Sequence, residues 1–210
     1  MRHRLAAAAA AACVLLLAGC ASAQDASPKN APGHSLTRDR QTPAPRPTST
    51  PARTLVIEPL RGAGSRVSVK SLGFDVPAGW VVDRVDDPAG EVRHLRPAEA
   101  ETPLASVMAW DISGGGAQTV RAAIDRVPTD WGPDALVHEV GVAWEGMPSA
   151  RAAIVTYEAG PPDEGLWQVL VLAVHDRRET AAALIQIAAP AGDLKTSTAF
   201  DVVRSVRWDP

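Results

Sequence analysis

Two apolar runs, back to back, set the strongest limit on how this chain can fold. Residues 167–175 read Trp-Gln-Val-Leu-Val-Leu-Ala-Val-His and residues 180–189 read Thr-Ala-Ala-Ala-Leu-Ile-Gln-Ile-Ala-Ala, with only Asp176-Arg177-Arg178-Glu179 between them. So short a polar connection makes the two runs antiparallel neighbours. In the first run Val169, Val171 and Ala173 share one face and Leu170, Leu172 and Val174 the other. Strands of this kind lie in the interior of a sheet that is covered on both sides.

The residues upstream supply further strands and one helix. Arg66-Val67-Ser68-Val69-Lys70 alternates polar and apolar, and Leu72-Gly73-Phe74-Asp75-Val76 continues the pattern up to Pro77. Pro77-Ala78-Gly79 reads as a turn that returns Trp80 to an apolar layer. Val81, Val82 and Val85 then run to the acidic turn Asp86-Asp87-Pro88-Ala89-Gly90, and residues 91–95 form a short strand. Leu104, Ser106, Met108, Trp110 and Ile112 face one way with Ala105, Val107 and Ala109 opposite, a second strand covered on both sides. Ala117, Val120, Ile124 and Val127 fall at helical spacing, and Pro128 is expected to end that helix. Residues 136–144 and 150–157 are two more strands, and residues 159–165 are a loop by their Gly and Pro content. Ala199, Phe200 and Val203 mark a second helix capped by Thr196 or Ser197, and residues 205–208 return as a terminal strand. The expectation is one α+β domain over residues 54–210, an antiparallel sheet of about six to seven strands flanked by helices.

The N-terminus has a different character. Met1-Arg2-His3-Arg4 is cationic and residues 5–17 are uninterruptedly apolar, the outline of a signal peptide and too short to span a bilayer. Leu17-Ala18-Gly19-Cys20 resembles the lipobox of bacterial lipoproteins. That resemblance implies removal of residues 1–19, a diacylated Cys20 as the new N-terminus, and a protein tethered to the extracytoplasmic face of the cell membrane. The alternative is an ordinary secretory peptide cut after Ala21 or Ala23. Two or more acyl chains hold a protein at a bilayer durably, where one does not. Cys13 leaves with the leader, so no disulfide and no cysteine-ligated metal is available to the domain.

Between leader and domain, the segment 20–53 carries six prolines and a single large aliphatic residue, Leu36, and reads as a disordered linker. Charge divides at its end. Residues 21–53 carry +3, whereas residues 54–210 hold 14 basic against 22 acidic residues, a net −8. An acidic domain is a poor polyanion binder, which argues against a nucleic-acid partner.

Three motifs carry a family resemblance. Phe74-Asp75-Val76-Pro77-Ala78-Gly79-Trp80 looks like the F-x-V-P-x-G-W opening of PsbP-like domains. Gly146-Met147-Pro148-Ser149-Ala150 is similar to that family's turn into its central meander, and residues 200–208 to its closing helix and strand, with Val206 in place of the usual phenylalanine. In style the whole resembles the LpqN/LpqT-type lipoproteins of actinobacteria, which join a lipobox and a proline-rich linker to such a domain. The resemblance implies an α/β/α sandwich that serves binding and assembly without a shared chemistry, so fold does not settle function.

No catalytic set is recognisable. There is no G-x-S-x-G elbow, and the domain's histidines, His94, His138 and His175, stand in no motif. His138 and its neighbour Glu139 point to opposite faces of a strand. Asp83, Asp86, Asp87 and Glu91 are the densest acidic group, read as a solvated turn in preference to a weak calcium site. Gly114-Gly115-Gly116 lacks the P-loop lysine and the Rossmann spacing, so no cofactor is expected. All six tryptophans lie in the domain. Trp80, Trp131 and Trp167 sit by turns or loops and are the candidate ligand contacts. The expected function is a lipid-anchored, non-enzymatic domain that binds an envelope protein or lipid-like ligand. A cell-envelope hydrolase and a purely structural envelope component are the alternatives.

Overall fold

A computed structural model describes residues 54–62, 64–147, 149–158 and 165–209. The leader, Cys20 and the linker assigned above lie outside the described residues, as does most of the 159–165 loop. Eleven strands and two helices are found among the described residues: β1 (Thr54–Ile57), β2 (Gly64–Val69), β3 (Leu72–Pro77), β4 (Trp80–Asp87), β5 (Gly90–Pro97), β6 (Ala105–Asp111), α1 (Gly116–Trp131), β7 (Leu136–Trp144), β8 (Arg151–Glu158), β9 (Leu166–His175), β10 (Ala181–Pro190), α2 (Thr198–Ser205) and β11 (Arg207–Trp208). None of these helices is long and apolar enough to cross a membrane.

The two central apolar runs form the hairpin β9–β10, which lies inside an eight-stranded sheet of order β1-β7-β8-β9-β10-β6-β5-β4. Pairing is antiparallel throughout except at the edge, where β1 lies parallel to β7 with Leu55 opposite Val142. The two faces of β9 meet different covers, as its alternation requires. Val169, Val171 and Ala173 pack under α1 against Val120, Ile124 and Val127. Leu170, Leu172 and Val174 enter the larger core with Phe74, Val76, Phe200 and Val203.

That second cover corrects the expected architecture. The chain is not a single six- to seven-stranded sheet with helices on both faces. β2, β3 and β11 form a sheet of their own, order β11-β3-β2, with Val67 opposite Phe74 and Arg207 opposite Gly73. All six residues of β3 are buried: Leu72, Phe74 and Val76 enter the larger core with the main sheet and α2, and on the opposite face Asp75 pairs with Arg66. The alternation in residues 66–76 identifies strands correctly but contains nothing about their partner. The main sheet is also mixed, since the short β1 adds a parallel edge.

Local signals set the helix ends, with one departure. Ser197 caps α2, its hydroxyl accepting from the Phe200 amide at 3.2 Å. Pro128 does not end α1: the helix runs on to Trp131, with Gly132 at φ +79° after it. Proline forfeits one hydrogen bond there, to the carbonyl four residues back, while the extra turn lays Trp131 on Tyr157 with ring centroids 5.1 Å apart.

Candidate functional site

Two clefts occupy opposite ends of the main sheet. β9 runs from one to the other, ten residues or roughly 30 Å at about 3.3 Å per residue.

At the start of β9, Trp167 stands opposite Tyr157 on β8 and Pro190 on β10. At the start of β4, Trp80 follows Gly79, whose φ of +77° makes the turn, and pairs with Pro97. The two tryptophans, both half-buried, line one groove of about 410 Å³ together with Pro97, Leu104, Pro190 and Ala199. Glu99 is the single charged residue on its wall. Trp131 is not part of it. This residue ends a helix, half-buried, its indole Nε1 enclosed without a hydrogen-bond acceptor among the described residues. Of the three candidate contacts, the fold thus joins Trp80 and Trp167 and leaves Trp131 outside the groove, in ring contact with Tyr157.

The end of β9 builds a larger cleft, of about 790 Å³. Its centre is the turn Asp176-Arg177-Arg178-Glu179. Asp176 accepts from the Thr180 amide (2.7 Å), the Thr180 hydroxyl (2.8 Å) and the Ala181 amide (3.0 Å). Desolvation raises the Asp176 carboxyl, but these bonds with one from the Arg178 amide outweigh it and hold the group below the ordinary carboxylate range. Glu179, at φ +54°, turns away to accept from the Gly115 and Gly116 amides at 3.0 and 3.2 Å. A carboxylate there caps the N-terminus of α1 and complements its dipole. The acids of the turn are thereby committed to structure and its arginines are left exposed. Arg61, Arg204 and Arg207 join them around the cleft, and Met147 and Trp208 supply apolar wall. Sequence reasoning passed over this assembly. Arg177-Arg178 was visible as a pair, but Arg61 and Arg207 arrive from the two ends of the domain.

The remaining candidates for chemistry are dispersed. His138 is exposed on β7, and Glu139 beside it pairs with Arg151 at 3.0 Å. His175 is buried, its Nδ1 2.7 Å from the Asp176 carbonyl oxygen. His94 stands in register between Asp83 on β4 and Ser106 on β6, so a carboxylate, an imidazole and a hydroxyl share one row. No hydrogen bond joins the three: Asp83 accepts from Arg96 at 3.0 Å, Ser106 is buried, and His94 Nε2 is enclosed without a partner among the described residues. Burial holds the His94 imidazole below its ordinary range against the opposing pull of Asp83. Neither cleft reaches the row. In the acidic turn Asp83, Asp86 and Glu91 pair with Arg96, Arg84 and Arg93, and Asp87 accepts from the Ala89 amide. Among the described residues no three His, Cys, Asp or Glu side chains gather as a metal site.

No protein-family model matches the chain. No curated protein matches it either. Among solved structures it is similar to PsbP (CyanoP) from Synechocystis sp. PCC 6803, at 16% identity over 70% of this chain and 93% of that one, with a TM-score of 0.46. It is also similar to a protein from Bacteroides thetaiotaomicron VPI-5482, at 10% identity and a TM-score of 0.44 over 70% of this chain, which spans about half the length of that protein (49%). At these scores the likeness is one of outline, and neither family membership nor function follows from it.

Proposed function

We propose that this chain is an extracytoplasmic lipoprotein, acylated at Cys20 and anchored by it to the cell membrane. Its domain, of LpqN/LpqT type, is a non-enzymatic binding module for an envelope protein or lipid-like ligand. One observation carries the binding half of this reading: Trp80 and Trp167, 87 positions apart in the sequence, wall a single apolar groove. Flat, rigid aromatic surface with one apolar end is what buries a chain or an apolar side chain at low entropic cost. Acylation rests on the lipobox resemblance alone.

Native mass spectrometry of the detergent-extracted protein tests both halves together. The expected spectrum shows the acyl mass on Cys20 and a co-extracted ligand that is lost in Trp80→Ala and Trp167→Ala but kept in Trp131→Ala. A wild-type protein extracted without any bound species, or one whose cargo survives both groove substitutions, overturns the binding reading.

A second reading, a cell-envelope hydrolase, has the Asp83, His94 and Ser106 row in its favour. A nucleophile needs a hydrogen-bonded base and access to substrate, and this hydroxyl is buried and unjoined. That reading requires Ser106→Ala to abolish an esterase activity present in the wild type.

A further inference from the structure

The domain is acidic overall, yet its free positive charge is gathered in one place. Of the 14 basic residues in 54–210, nine are ion-paired among the described residues, from Arg66 with Asp75 and Asp209 to Arg204 with Asp201. Five have no ion-pair partner among the described residues: Arg61, Arg177, Arg178, Lys195 and Arg207. Four of those five line the 790 Å³ cleft.

The acids that share the cleft do not cancel them. Asp176 is spent on the hairpin turn. Asp209 is held by Arg66 at 3.1 Å and by the Ser68 hydroxyl at 3.2 Å. Glu145 alone remains. The carboxyl end of α2 also points here, and its negative dipole would oppose an anion. Its carbonyls are already satisfied, Arg204 O by the Leu60 amide at 2.9 Å and Ser205 O by Arg66 at 3.2 Å. What is left is a concave site of small-ligand size with four uncommitted guanidinium groups.

We infer that this cleft binds a phosphate-bearing ligand. Guanidinium forks match the oxygens of a phosphate two at a time, where the point charge of a lysine does not. All four side chains unpaired among the described residues here are arginine, and the one lysine unpaired among them, Lys195, lies outside the cleft. The inference goes beyond the tryptophan groove and is independent of it, since that groove lies at the other end of β9.

The test uses the full chain carrying Cys20→Ser, so that acylation plays no part, with amide and guanidinium resonances followed by NMR. Two probes separate the sources of phosphate: inorganic pyrophosphate, and dihexanoylphosphatidic acid below its micelle concentration. Saturable shifts at the Arg177 and Arg178 positions with either probe are expected. Preference for the lipid by tenfold or more assigns a headgroup, and preference for pyrophosphate a soluble phosphate. The double substitution Arg177→Glu with Arg178→Glu, on an exposed turn, should raise Kd at least tenfold with unchanged circular dichroism, while Lys195→Glu changes it less than twofold. Trp80→Ala should leave phosphate binding as it is. The inference is overturned if neither probe saturates, or if Lys195→Glu weakens binding as much per charge as the arginine pair.

Discussion

Single side chains in this domain hold turns and helix ends more than they decorate a surface. Asp176 and Glu179 show it best, each accepting from backbone amides that would otherwise lack a partner. Asp176→Ala removes all of its bonds from a largely exposed turn and should cost about 1 kcal/mol, read by urea denaturation. Its folded value lies below 3.8, so this stability is present above about pH 4 and lost as pH falls through the folded value. Asp176→Asn should therefore flatten the acid limb of the stability profile. His94 works at a higher pH with the same sign. Burial keeps the folded imidazole below 6.5, so on acidification the unfolded chain takes the proton first. Stability from this position is intact above about pH 6.5 and declines below it, and His94→Gln should remove that decline when melting temperature is followed from pH 7 to pH 5. At Gly116, an added Cβ would lie 2.6 Å from Cγ of the buried His175, which explains why glycine opens α1.

Among the elements, the three-stranded sheet and α2 depend on one residue. Arg66 on β2 reaches Asp75 on β3 (3.3 Å), the Ser205 carbonyl at the end of α2 (3.2 Å) and Asp209 just after β11 (3.1 Å). Asp75 is 4% exposed, and removing the partner of a buried charge costs several kcal/mol. The partial exposure of Arg66, 27%, reduces that, and Arg66→Met should destabilise by about 2–3 kcal/mol, measured by chemical denaturation. The alternating residues 66–76 announce two strands plainly, yet the small sheet was not legible in them. A strand's pattern reports which face is buried and says nothing of whether the burying surface is a helix or another sheet. α1 was legible as far as Val127, and Trp131 was not: proline is a strong local stop, and the ring contact with Tyr157 that offsets it comes from a residue 26 positions away.

At the scale of the whole molecule, the chain presents two sites at opposite ends of one sheet and, by the lipobox reading, an anchor ahead of both. Cys20→Ser should move the protein from the membrane to the soluble fraction, as followed by fractionation and immunoblot. Unchanged fractionation would remove the anchor from the proposal and leave the groove and the cleft standing. How much of each site the sequence revealed follows from the range of the signal. Trp80 and Trp167 were recognisable singly, because a tryptophan beside a turn is a local feature, but their meeting in one groove was not. The arginine cleft was hidden more deeply, since net charge sums over a domain and the −8 concealed where the unpaired positive residues collect. By itself the sequence determined the central hairpin, its burial on both faces, the cap of α2 and the absence of any disulfide from residues 54–210, because each depends only on residue identity and on neighbours a few positions apart. Tertiary structure alone decided that β2, β3 and β11 leave the main sheet to cover it, and that arginines 61, 177, 178 and 207 converge. Those outcomes depend on long-range strand pairing, a choice among nearly equivalent hydrogen-bond ladders that only the packing of the whole core distinguishes.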